Sequence, residues 1–460
     1  MGHYWISRGG GTALAIAVTL AAPPLNAQSG SWALVNARIE TVTRGAIDRG
    51  TVVIRDGLIE AVGASVNLPP DVRVVDYSGR TIYPGLIDLT STIGLPASPA
   101  ARPPANMEAA IFGASADTSI RNVGLEPGRT IANELRPAAA DVRSARDVGI
   151  AVALVAPGRG LFRGLSALVP LRDDAATHWI VKSPVALHVG YQTVQGRYPG
   201  SLLGVIAYQR QSFFDAQRHA TLLDQYRTNP RGMPRASYDA DLDALVPVVR
   251  GQLPAFIAAG NENEIRRAAA LAREFNLKAT VVGAVEGFRA IDALKTMRIP
   301  VVTVDYPEPA SVTGWAYRNA ARHDLDDSTT RAAAVTKMLE GNAATLNSAG
   351  VKFALASGGV RPADFIANVR KAIAAGLPRQ VALEALTIRA AEAAGVEQQL
   401  GSIEVGKIAN LLVMDGEVLT DSARVSAVFV DGQRYDVIPA PATQQSPARG
   451  ERRPGVEDKR

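Results

Sequence analysis

A chain of 460 residues with 47% hydrophobic and 20% charged side chains has the composition of a globular protein, with room for a large core and a smaller unit beside it. Cysteine is absent, which excludes disulfides, a thiol nucleophile, a thiolate metal site and a lipobox anchor. The formal net charge is +5, and no basic stripe with interleaved aromatics accompanies it, so nucleic acid is not an expected partner.

The first 27 residues read as a cleavable secretory leader: Arg8, an apolar stretch from Ala13 to Ala22, then Pro-Pro and a small residue, Ala27, at the expected cut. Ten apolar residues are too few for a membrane span, which needs about 20. Export to the periplasm is therefore expected, with no membrane attachment after cleavage. Loss of the leader takes the net charge from +5 to +4, and a tail from Pro441 with five basic and three acidic residues leaves about +2 on the folded body.

From Trp32 to Val75 short apolar runs alternate with turn signals. TVVIRDGLIEAVG places Asp56-Gly57 between two strand-like runs, a strong hairpin signal. Residues 28–83 are read as a β unit. The segment 84–395 has a different texture, alternating strand-like and helical stretches. ADVRSARDVGIAVALVAP is an early unit. From Pro254 come PAFIAA, a helix from Asn261, LKATVVG, a helix through AVEGFRAIDALKTM, and IPVVTVD. Ile265, Ala268, Ala269, Ala272 and Phe275 fall at helical spacing, and Asn261 with Glu264 makes a capped start. GVKFALASGGV followed by DFIANVRKAIAAGL is a late unit. Strand and helix in alternation predict parallel pairing with right-handed crossovers, and a (β/α)₈ TIM-like barrel is the economical α/β solution. Residues 396–437 return to β texture, with Asp415-Gly416 and Asp431-Gly432 at turns, so a composite β-sandwich built from both chain ends is expected. Residues 438–460, rich in Pro, Gln, Ser and Arg, read as a disordered tail.

Two motifs carry a resemblance. The junction Arg80-Thr81-Ile82-Tyr83-Pro84-Gly85-Leu86-Ile87-Asp88 resembles the Pro-Gly-Leu-Ile-Asp signature that opens the barrel of amidohydrolases. Gly401-Ser402-Ile403-Glu404-Val405-Gly406-Lys407-Ile408-Ala409-Asn410-Leu411-Leu412-Val413 resembles that superfamily's Gly-Ser-Ile-Glu-x-Gly-Lys-x-Ala-Asp-Leu-Val-Val return strand. Both occur in order around the βα array, and Ala382 to Gly395 has the family's texture for the preceding helix. The resemblance spans roughly residues 32 to 437 and looks closest to the imidazolonepropionase-like and exported dipeptidase-like branch. It implies a hydrolase of non-peptide or cyclic carbon–nitrogen bonds, using one or two zinc ions at the mouth formed by the C-terminal strand ends.

What the resemblance implies about ligands is not met by the residues present. The family's His-x-His pair falls on Thr90 and Thr92, its middle-strand His on Ala258, the next on Gly283, and its final-strand Asp on Ser357-Gly358. Of five histidines, none forms a His-x-His or His-x-x-x-His pair. The expectation is a degenerate metal site, no cofactor, and a mouth lined by Thr90, Thr92, Ala258, Gly283, Ser357 and Gly358 that could take a small molecule. A non-catalytic barrel that binds a ligand, or that partners an active amidohydrolase paralogue or a second copy of itself, is the alternative to a hydrolase. Metal-free catalysis by another constellation has no support in the sequence.

The remaining candidates favour ordinary roles. His188, in VALHVGYQ, reads as a hydrogen-bonded structural histidine, and His323 with Asp324, Asp326 and Asp327 as a solvated loop. Lys182, in WIVKSPV, resembles the carboxylated lysine that some relatives use to bridge metals, a role that needs two ions to stabilise it. Ser91 and Ser357 have no Gly-x-Ser-x-Gly elbow. Ala156 to Gly164 (APGRGLFRG) has glycines that let N–H groups approach an anion but lacks Walker or Rossmann spacing, so it reads as a βα loop at the rim.

Overall fold

A computed structural model describes residues 30–95, 125–158, 160–173, 180–193, 199–235, 237–306 and 328–437. The expected leader, the expected tail, and His323 with its neighbouring aspartates lie outside the described residues. The amino-terminal strands are β1 (Trp32–Glu40), β2 (Ala46–Arg55), β3 (Leu58–Gly63), β4 (Arg73–Asp76) and β5 (Thr81–Pro84). Asp56 and Gly57 both have positive φ, 50° and 79°, the geometry a two-residue hairpin between right-twisted strands requires.

The middle of the chain holds β6 (Leu86–Ser91), α1 (Ala139–Arg146), β7 (Ile150–Val155), β8 (Phe162–Leu165), β9 (Ala167–Pro170), β10 (Leu187–Val189), α2 (Leu202–Thr228), α3 (Ala240–Val249), β11 (Ala255–Ala259), α4 (Glu262–Glu274), β12 (Ala279–Gly283), α5 (Ile291–Leu294), β13 (Val301–Thr303), α6 (Ser328–Glu340), α7 (Asn342–Ser348), β14 (Ala354–Ala356), α8 (Pro362–Ala374), α9 (Arg379–Leu386) and α10 (Ile388–Ala394). β15 (Leu411–Asp415), β16 (Arg424–Val430) and β17 (Gln433–Asp436) follow.

One eight-stranded sheet draws on both chain ends, in the order β17-β16-β15-β5-β1-β2-β3 with β4 beside β1. Leu34, Ile39, Val52, Ile54, Ile82, Leu411, Val413 and Phe429 are buried together on it. The two Asp-Gly hairpins meet tip to tip: a Cβ on Gly57 would stand 3.0 Å from the Asp431 carbonyl oxygen, and one on Gly432 would stand 2.9 Å from the Gly57 Cα. The Ala409 N–H donates to the Gly57 carbonyl at 2.8 Å, which ties the return strand to the first hairpin.

The rest is a mixed α/β body. β10 to β14 pair in parallel in chain order, and β6 pairs in parallel with β7. The described strands fall into a six-stranded sheet, β14-β13-β12-β11-β10-β8, and a three-stranded sheet, β6-β7-β9. Several details depart from the sequence reading. Phe162–Leu165 is a strand antiparallel to β10, not a loop, and β9 returns antiparallel to β7. The expected helix through AVEGFRAIDALKTM shrinks to a 3₁₀ turn at Gly287–Arg289 and the short α5, because Ala284 (φ 40°) and Ala290 (φ −128°, ψ 36°) leave helical geometry. Likewise Ala382 to Gly395 is two helices, broken at the buried Thr387, where φ is −128° and ψ is −95°.

α4 forms where expected. The Asn261 side chain accepts from the Glu264 N–H at 3.0 Å, and Glu264 Oε2 accepts from the Gly260 N–H at 2.9 Å, so the free donors of the first turn are satisfied from both sides. Ile265, Ala268, Ala269 and Ala272 are buried along one face. Asn261→Ala should lower stability by about 1 kcal/mol, measured as a shift of the urea midpoint at unchanged m-value.

Candidate functional site

β6 reads Leu-Ile-Asp-Leu-Thr-Ser, and its carboxylate is buried in an otherwise apolar strand. Asp88 belongs to the signature quoted above but not to the expected mouth residues, and it proves to be the centre of the cluster. Asp88 Oδ1 accepts from the Ser357 N–H at 2.9 Å and the Thr90 N–H at 3.2 Å, and Oδ2 accepts from Ser357 Oγ at 2.8 Å. Ser357 immediately follows β14, so these bonds join the last strand of one sheet to the first strand of the other.

The surrounding hydroxyls close the network. Thr90 Oγ1 accepts from the Gly358 N–H at 2.7 Å and lies 3.4 Å from Ser357 Oγ. Ser357 Oγ accepts from the Gly359 N–H at 3.0 Å. Gly358 and Gly359 have φ of 70° and 87°, a left-handed pair that turns both N–H groups back onto β6. Burial pushes the Asp88 carboxyl above its ordinary range, against the opposing pull of hydrogen bonds from Ser357 and then Thr90.

Thr90, Ser357 and Gly358 are thus brought together. Thr92 is exposed beside them, its Cγ2 3.5 Å from where a Cβ on Gly359 would stand. A Cβ on Gly358 would be 3.4 Å from the Cβ atoms of Thr303 and Asp305, and Thr303 Oγ1 donates to the Gly283 carbonyl at 3.2 Å, so Gly283 joins through its backbone. Burial raises the Asp305 carboxyl as well. Ala258 lies across β11 and β12 from Val282, and Gly283 pairs with Ala259, so the side-chain positions of 258 and 283 fall on opposite faces of the sheet. A cavity of about 370 Å³ reaches Asp88, Thr92 and Ser357 from the side of Ser144 and Arg361.

These residues do not fit a divalent cation. Thr90 and Ser357 are neutral hydroxyls already engaged in hydrogen bonds, the Asp88 carboxylate is enclosed by its donors, and Ala258 and Gly283 offer no side-chain donor. Among the described residues no group of three or more His, Asp or Glu side chains could hold a metal ion. Ser357 has Asp88, Thr90 and Gly359 as partners and, among the described residues, no imidazole. Ser91 Oγ accepts from the Ile93 N–H at 3.2 Å. Lys182 Nζ donates to the carbonyls of Ala394 and Gly395 at 2.9 and 3.1 Å, capping the end of α10.

His188 stacks edge-on against Phe256 with ring centroids 5.3 Å apart, and its Nε2 is buried with no hydrogen-bond partner. Burial first, then the neighbouring Arg163 charge, pull its pKa down to about 3.

The family model described as "Amidohydrolase family" matches residues 223–435. Over that segment the chain resembles the amidohydrolase family. An imidazolonepropionase from Mesorhizobium japonicum is 39% identical over 72 residues, which is 14% of this chain and 18% of that relative's length. Among solved structures, an amidohydrolase from Thermotoga maritima MSB8 superposes with a TM-score of 0.70 at 21% identity, covering 87% of this chain and 98% of that one. Molinate hydrolase superposes with a TM-score of 0.52 at 17% identity, covering 94% of this chain and all of that one (100%). At these identities the structural matches speak for the fold alone.

Ser357→Ala should cost about 2–3 kcal/mol by urea denaturation, because it strips the buried carboxylate of a donor. For Asp88 the folded pKa is raised, so its contribution to stability is greatest below the unfolded value of 3.8 and is lost as pH rises through the folded value. The stability deficit of Asp88→Asn relative to the parent should therefore shrink between pH 4 and pH 7. For His188 the sign is opposite. Its folded pKa is depressed, so stability present above 6.5 is lost as pH falls toward 3, by up to about 1.4 kcal/mol per pH unit. His188→Phe should flatten that part of the pH–stability curve.

Proposed function

We propose that this amidohydrolase-family protein carries a degenerate metal centre and acts as a non-catalytic barrel that holds a small ligand, with an active paralogue or a second copy as its possible protein partner. The observation that carries the reading is the Asp88–Thr90–Ser357 network. Where the family resemblance implies metal ligands on the first and last barrel strands, this chain has hydroxyls that bond to each other and to one carboxylate. A metal site must keep lone pairs free for the ion, and here they are engaged within the protein.

The same reading includes a closed (β/α)₈ barrel, with the eight-stranded sheet as part of a composite β-sandwich divided at residues 83–84 and 395–396. Supporting it are the parallel run β10 to β14, the Asp88 bridge to β6, and a sheet that already draws strands from both ends. The leader-like residues 1–27 support export to the periplasm.

A second reading, hydrolysis of non-peptide or cyclic carbon–nitrogen bonds, is favoured by the family-model match over residues 223–435. Elemental analysis of the protein purified without chelator, run beside an assay on small amides and dipeptides, separates the two. We expect well under one equivalent of zinc and no turnover. One or two equivalents of zinc with turnover would establish the hydrolase reading instead.

A further inference from the structure

Arg163 occupies an irregular position in β8. Gly164 pairs with His188 and Phe162 with Val189, so Arg163 is an extra residue in a β-bulge against β10. Gly164 makes the bulge possible: its φ is 108°, and a Cβ there would stand 2.5 Å from the Arg129 carbonyl oxygen. The bulge lays the Arg163 guanidinium flat on Gly190, where a Cβ would collide with Nη2 and stand 2.9 Å from Cζ. Two glycines thus shape a seat for one arginine.

The arginine has little to hold. Its Nε donates to the Gly160 carbonyl at 3.2 Å, and it has no ion pair among the described residues. Burial lowers its pKa to about 10, with Glu264 opposing, so it stays charged at neutral pH. Gly190 lies in the chain between His188 and Tyr191, and His188 Nε2 and Tyr191 Oη are both buried without partners. His188 is neutral. Arg163 and Tyr191 keep partial exposure, which leaves a way in from solvent.

A charged guanidinium seated on Gly190, a neutral imidazole within reach of its charge, and a phenol on the next residue that shares the Glu264 field with it are hydrogen-bond donors without acceptors. We propose that Arg163, His188 and Tyr191 seat the carboxylate of a small acidic ligand entering beside β8 and β10. This rests on the ligand-binding reading above and adds the class of ligand. A carboxylate matches the planar fork of one arginine. Tyr191 lies under the opposed charges of Arg267 and Glu264, and Glu264 also acts on Arg163, so a phosphate dianion would find little positive charge beyond the one guanidinium.

Titration calorimetry of the full chain with acetate, acetamide and inorganic phosphate tests this, beside Arg163→Met. Acetate should bind saturably, at least tenfold more weakly to Arg163→Met, with acetamide not binding. Ligand-free Arg163→Met should melt at the same or a higher temperature than the parent, since an uncompensated buried charge has been removed, whereas an arginine serving only the fold would lower it. The proposal is overturned by any of four results: no saturable acetate binding to the parent, equal binding to Arg163→Met, equal binding of acetamide, or tighter binding of phosphate. Metal content and turnover are read separately. Zinc with turnover but Arg163-dependent acetate binding would fail only the non-catalytic reading, and a metal-free inert protein lacking that binding would fail only this one.

Discussion

The interaction on which the middle of the molecule depends is the buried Asp88 carboxylate between β6 and Ser357. The strands around it belong to separate hydrogen-bonded sheets, so no continuous backbone ladder joins β6 to β14. A carboxylate taking two backbone N–H groups and a hydroxyl supplies that join instead. Its geometry is specific because the donors come from two separate segments: the Thr90 amide from β6 itself, and the Ser357 amide and hydroxyl from the loop after β14. Removing an acid from water is expensive, and the raised pKa of Asp88 shows that the bonds offset that expense only in part.

The same problem is solved differently in the outer sheet. There the chain ends are joined by backbone ladders, β5 to β15 and β5 to β1, and by the two Asp-Gly turns packed against each other. No buried charge is required. The two regions touch at Gly85, between β5 and β6, whose N–H donates to the Asn410 carbonyl at 2.8 Å and where a Cβ would clash with Ala151. A glycine at that place in the opening motif lets one segment serve both sheets.

Much of this was legible in the sequence because it is written locally. Asp56-Gly57 and Asp431-Gly432 take positive φ at both residues, as their hairpin turns require, and the spacing of Ile265, Ala268, Ala269 and Ala272 with Asn261 ahead of them specifies a capped amphipathic helix. What escaped is tertiary. The bulge at Arg163 depends on Gly164 clearing Arg129, a contact 35 residues away in the chain, or nearer through space than any local pattern could reveal. At the break at Thr387 the chain returns so close at Gly401 that a Cβ there would stand 2.9 Å from the Thr387 carbonyl oxygen. Asp88 did leave a signal, an acid inside an apolar strand, but its partner Ser357 lies 269 residues on.

The two unusual polar groups of the body are opposites in how they are satisfied. Asp88 is a buried carboxyl group whose two oxygens the protein has surrounded with its own donors. Arg163 carries a charge that the protein has positioned with two glycines and then left nearly bare, beside an imidazole and a phenol in the same condition. Selection for stability alone would satisfy or remove such a charge, as it has at Asp88. With the polar groups at the seam of β6 and β14 engaged with one another, and Arg163 without an ion pair among the described residues, the unspent interaction energy lies at β8 and β10. The capacity to recognise something outside the chain is therefore greatest there, and not at the seam between β6 and β14.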